Sequence, residues 1–175
     1  GSRGLGEGSA AMRVFVNRKK GNDAILAAKA LANQDEYDEA RESLELAAEA
    51  YAAVHLQDAP RDGALVPPLL KDINESDERR TIEITLPVCE RHISPGDSLM
   101  LHTKLDEAQT HYEMALEVGS EAVSRFRNAR LSRLTAALHL RICIAHCSRA
   151  VAAGEVSCGP HWERGRKEAE KCCGY

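Results

Sequence analysis

The chain has 175 residues, 43% hydrophobic and 29% charged, with a formal net charge of −4. That is ordinary for a globular domain long enough to bury a core, and the slight acidity gives no overall pull toward nucleic acid or an anionic membrane. No run of about 18 apolar residues occurs, which predicts no membrane insertion, and aromatic residues are only 4%, so a core must rest on Ala, Leu, Ile and Val.

Residues 1–21 are rich in Gly, Ser, Arg and Lys and read as a flexible N-terminal arm with a short apolar patch at Met12–Val16. Residues 22–175 read as a single helical domain of the all-α class. Asn22 or Asp23 is placed to cap a helix running to about Gln34, with Ala24, Ala27, Ala28 and Leu31 on one face. A turn at Asp35–Glu36 leads to a second helix, from Tyr37 to about His55, with an apolar stripe of Ala40, Leu44, Ala47, Ala48 and Tyr51. The pair forms a hairpin over 22–56.

Residues 57–96 hold Pro60, Pro67, Pro68, Pro87 and Pro95 together with Gly63, and read as an irregular connection. Within it, Leu69–Ile73 looks like a helix start behind proline. Thr81–Leu86 alternates like a strand, but no pairing partner is visible, which favours helix or extended linker. Ser94–Asp97 marks a turn and a new helix start. A helical pair follows over 97–153, interrupted at Gly119–Ser120 and closed by Gly154. Ala136–Ala145 is apolar almost all round, which predicts a buried central helix. Pro160 opens a short last helix within 154–175, ending near Cys172.

The stretch Tyr37-Asp38-Glu39-Ala40 returns as Leu105-Asp106-Glu107-Ala108, an offset of 68 residues, twice a period of about 34. In order and spacing, Ala28, Leu31, Tyr37, Ala40, Leu44 and Ala47 resemble a tetratricopeptide repeat, and Leu105, Ala108, Tyr112 and Ala115 match its second half. Pro95 and Gly96 depart from the pattern in what would be the first helix of the second copy. The first hairpin is also similar to the microtubule-interacting-and-trafficking domain, with its Ala-rich first helix and Tyr-x-x-Ala second helix. Both resemblances imply stacked helical hairpins and non-catalytic binding of a peptide or helix in a groove. The Lys and Asn set of the carboxylate-clamp repeats is not found, so chaperone-tail binding is not implied.

Charge is distributed unevenly. Asp35–Glu49 holds seven acids against Arg41 alone, whereas Ala122–Gly154 holds Arg125, Arg127, Arg130, Arg133, Arg141 and Arg149 with no acid. Arginine offers a rigid fork for carboxylate or phosphate. Arg127, Arg130, Arg133 and Arg141 are the candidates for selecting an acidic partner, set against internal pairing or simple solvation. His139, Cys143 and Cys147 share one helical face, and Cys158, His161, Cys172 and Cys173 are the candidate zinc ligands. Against zinc, a Cys in an apolar helix behaves as a small hydrophobe, and the paired spacing of a zinc ribbon is missing. There is no Cys-x-x-Cys, phosphate loop, dinucleotide glycine motif, nucleophile elbow or metalloprotease His pair. The expectation is therefore a module without catalysis or cofactor that binds a protein or peptide, an acidic one among the candidates. Zinc-stabilised structure, or nucleic-acid and phosphate binding through the Arg-rich helix, are the alternatives. No signal-peptide pattern is present, so the six cysteines read as reduced thiols of a cytoplasmic protein.

Overall fold

The computed structural model describes residues 3–54, 62–156 and 159–173, with side chains from Ser9 onward. Among them lie six α-helices and no strand: α1 (Arg3–Ala32), α2 (Tyr37–Ala52), α3 (Val66–Leu101), α4 (Leu105–Arg125), α5 (Ala129–Ala152) and α6 (Pro160–Cys173). The chain divides into two compact units, Gly1–Arg79 and Arg80–Tyr175, with the division inside α3.

In the first unit, α1 packs on α2 through fully buried Ala28, Ala40 and Ala47. Alanines let the two backbones approach, and Leu44 and Tyr51 fill the space beside them. Burying each of those large side chains stabilises the hairpin by about 2 kcal/mol. Val66, Leu69 and Ile73, from the first turns of α3, close this core. Arg41 turns inward onto the buried Asp77 and onto Asn74 at 2.8 Å.

The arm expected over 1–21 is helix from Arg3 onward. Ala10, Ala11, Met12, Arg13, Arg18, Lys19 and Lys20 are good helix formers, and tertiary packing fixes the helix at its middle. Asn22 does not cap it. Its side chain lies inside α1 and accepts the Tyr51 hydroxyl at 2.7 Å, while the adjacent Gly21 leaves room for the Tyr51 ring, which a Cβ would overlap.

The irregular connection expected over 57–96 is also overturned from Val66, where α3 begins and runs for 36 residues. Pro67 and Pro68 sit in its first turn, where a missing N–H removes no helical bond. Pro87 and Pro95 lie inside it, and each costs about 3 kcal/mol in an isolated helix. Both occupy the exposed side, while Ile73, Asp77, Ile82, Thr85, Cys89, Ile93 and Gly96 are buried at helical spacing. Burial of that stripe outweighs the prolines. The alternation at Thr81–Leu86 is thus one turn and a half of helix, with Ile82 inward and Ile84 exposed.

The second unit contains the rest of α3 and α4, α5 and α6. Cys89, Ile93, Ala108, Tyr112, Ala115, Leu138 and Ile142 form its main core. The helix expected from Glu121 to Ala153 is split instead. Gly119 and Ser120 lie inside α4, where Gly119 faces the Thr135 methyl. The break falls at Phe126–Asn128, with Phe126 extended at φ −131° and the Asn128 side chain accepting the Arg130 N–H at 2.8 Å.

Three helices end in the same way. A residue in the left-handed region donates to the carbonyl three residues back, and its successor donates to the carbonyl five residues back. The donors are Asp35 and Glu36 after α1, Thr103 and Lys104 after α3, and Gly154 and Glu155 after α5. The φ values are 62°, 59° and 62° at Asp35, Thr103 and Gly154. This is a Schellman closure, which satisfies the last carbonyls and reverses the chain sharply. The first two closures stand 68 residues apart, the offset of the sequence repeat. Gly96 therefore takes the place of Ala28, and Tyr112 that of Leu44. The glycine that departs from the sequence pattern is the small residue that admits a larger aromatic ring: a Cβ on it would lie 2.7 Å from Tyr112 Cε1.

Candidate functional site

The second unit positions the arginine row. Asp97 on α3 ties three helices together. It accepts the Tyr112 hydroxyl of α4 at 2.6 Å and the Arg141 guanidinium of α5 at 3.0 and 3.3 Å. Burial pushes the Asp97 carboxyl up, but the Arg141 and Tyr112 hydrogen bonds and the Arg141 charge overcome this and hold it below the usual carboxylate range. Burial and the neighbouring carboxylate raise the Tyr112 phenol well above its ordinary value. Arg141, expected to face a partner, is thus a structural cross-link within its own unit.

Arg149 is similarly engaged, with Asp106 at 2.6 Å and the Leu105 carbonyl at 3.4 Å. Arg125 lies 5.3 Å from the Phe126 ring centroid. The remaining three candidates differ. Arg127, Arg130 and Arg133 are exposed, and their side chains make no ion pair among the described residues. Arg127 sits in the break before α5. Arg130 and Arg133 are one turn apart on α5, so they point the same way. Continuing that face at helical spacing come Ala137, Leu140, Ile144 and Val151. Leu140 is 49% exposed, Ile144 47% and Val151 69%. The Ala136–Ala145 stretch is therefore not buried all round. Leu138, His139, Ile142 and Ala145 point inward, while Leu140 and Ile144 form an outward apolar stripe behind the arginines. These two residues were missed as site residues because local apolar density hides direction; only their spacing from Arg130 and Arg133 marks the shared face.

Of the late Cys and His residues, His139, Cys143 and Cys147 lie on α5 and His161, Cys172 and Cys173 on α6. Gly165 lets α6 press against α5, since a Cβ there would meet Cys147 Sγ at 2.9 Å and the Cys143 carbonyl at 3.4 Å. His139 Nδ1 and Glu168 Oε2 are 2.7 Å apart, and Glu168 also accepts from Lys171 at 3.0 Å. Burial raises the Glu168 pKa, but the His139 and Lys171 interactions win and hold the carboxyl low. Burial, with help from Cys147, Glu168 and Cys172, pushes the Cys143 thiol up to about 11, which suits a packed thiol rather than a nucleophile. Of the four zinc candidates, Cys158 lies outside the described residues. His161 opens α6, where the Glu155 carboxylate accepts its backbone N–H at 2.7 Å, and Cys172 and Cys173 close that helix. Among the described residues, no three His, Cys, Asp or Glu side chains converge in metal-binding geometry.

No protein-family model, curated protein or solved structure matches the chain. Among the described residues, no helix is long and apolar enough to cross a membrane.

Proposed function

We propose that the chain is a non-catalytic interaction module that binds an acidic, amphipathic segment of a partner protein. The observation that carries this is the outer face of α5, where exposed Arg130 and Arg133 lead into exposed Leu140 and Ile144. The arginine forks supply orientation and association rate toward carboxylates. The apolar stripe supplies the affinity that surface ion pairs, at about 0–1 kcal/mol each, do not. Arg127, in the break just before that helix, extends the basic end. The tetratricopeptide-like spacing of the two hairpins supports the reading, because such hairpins serve as rigid platforms for peptides and helices.

The test is capture from native lysate with the wild-type chain and with an Arg130→Glu/Arg133→Glu variant. Both positions are solvent-exposed, so the variant keeps its fold by circular dichroism. The expected result is a set of proteins retained by the wild type and lost with the variant, with no retardation of nucleic acid in a low-salt gel shift. Identical retention by both chains sinks the proposal.

A further inference from the structure

Two histidines that play no part in the α5 face stand opposite each other in the second unit. His92 on α3 and His111 on α4 are both half-buried, with ring centroids 5.8 Å apart and rings inclined at 40°. Their Nδ1 atoms are 3.5 Å apart. That is long for a hydrogen bond between nitrogen atoms, whose usual separation is about 3 Å. It is close to the separation of two ligands on one metal ion. Two nitrogens each about 2.0–2.1 Å from a tetrahedral ion stand about 3.3–3.4 Å apart.

The positions are rigidly built. His92 adjoins Ile93 and His111 adjoins Tyr112, and both of those neighbours belong to the main core. The Thr103–Lys104 closure fixes how α3 turns into α4. Two imidazoles on two packed helices are therefore already spaced for one ion, and little side-chain freedom is lost on binding.

We infer that His92 and His111 form a binding site for a divalent late first-row transition ion such as Zn²⁺, held between α3 and α4 through the two Nδ1 atoms. Imidazole suits this class of ion and not Mg²⁺ or Ca²⁺, which take oxygen ligands. Among the described residues no third protein ligand converges there, so water fills the remaining positions and the ion exchanges readily. An ion held there bridges the two helices and stabilises the folded second unit by mass action.

The untagged 175-residue chain is titrated with Zn²⁺ while thermal unfolding is followed through Trp162, the one tryptophan, which lies in the second unit. The wild type gains Tm with saturable dependence on Zn²⁺. His92→Gln and His111→Gln each weaken binding by at least about tenfold, because each removes one of the two protein ligands assigned to the ion. Co²⁺ gives ligand-field bands without thiolate charge transfer. A Tm gain that survives in both variants overturns the inference. So does a thiolate charge-transfer band that vanishes in a Cys143→Ser/Cys147→Ser/Cys172→Ser chain, since the ion then sits on the thiols. A measurement on the wild type avoids any folding defect of the variants: substoichiometric Cu²⁺ broadens the ring resonances of His92 and His111 before those of the other five histidines, a total of seven. Earlier broadening elsewhere is the opposing result.

Discussion

Gly96→Ala tests whether the second hairpin is a repacked copy of the first. The added Cβ would lie 2.7 Å from Cε1 of Tyr112, 3.0 Å from Cδ1 and 3.2 Å from Cζ. The ring cannot simply retreat: Tyr112 is 1% exposed, and its hydroxyl is held by Asp97 at 2.6 Å. A contact below 3.0 Å against a pinned ring puts the overpacking cost in the upper part of its usual range, about 2–3 kcal/mol, whereas Ala in place of Gly inside a helix gains about 1 kcal/mol. The net expectation is a loss of about 1–2 kcal/mol. In a Tyr112→Leu background, which reproduces the Ala28–Leu44 pairing of the first hairpin, the clash is gone. The same Gly96→Ala change should then stabilise by about 1 kcal/mol. The coupling between the two positions is therefore about 2–3 kcal/mol. Urea denaturation of the four chains, read through Trp162 fluorescence, reports the second unit. A Gly96→Ala change that stabilises both backgrounds equally refutes the packing argument.

Two further outcomes follow from single positions. Thr103 is β-branched and holds φ at 59°, so Thr103→Gly should raise the stability of the second unit by about 1 kcal/mol, while Asp35→Gly gains less because Asp tolerates that conformation; a drop in the urea midpoint of Thr103→Gly contradicts this. His146 is 6% exposed and its Nδ1 has no hydrogen-bond partner. Burial, with the charges of Arg149 and Arg164, outweighs Glu168 and Glu113 and lowers its pKa. The unfolded chain takes up this proton below about pH 6.5 and the folded chain resists it. Stability is accordingly full above that value and falls as the pH drops through it toward the lowered folded pKa. His146→Gln should flatten that slope between about pH 7.5 and 5.5, and an unchanged slope would remove His146 as its cause.

The helical class was legible because it rests on local signals. Ala28, Ala40, Leu44 and Ala47 recur at helical spacing, and their copies stand 68 residues on. Proline misled the reading of α3. Pro87 and Pro95 carry a local penalty that is visible in sequence, while the burial of Ile82, Cys89 and Ile93 that outweighs it depends on α4 and α5. Asn22 misled for a related reason: its side-chain oxygen is an acceptor of the kind that caps a helix, but it serves a hydroxyl 29 residues away. Arginine composition marked α5, but not which arginines stay free. Asp97 lies 44 residues from Arg141, and only the fold brings it there to take that residue out of the candidate face. His92 and His111, 19 residues apart, carried no motif that spacing alone could show.

The most direct test of the α5 face is selection of a random peptide display library on the immobilised chain, in parallel with the Arg130→Glu/Arg133→Glu variant. The account predicts that the wild type enriches peptides rich in Asp and Glu with apolar residues at helical spacing, and that the variant fails to retain them. Peptides retained equally by both chains, or enrichment without acidic residues, would contradict it.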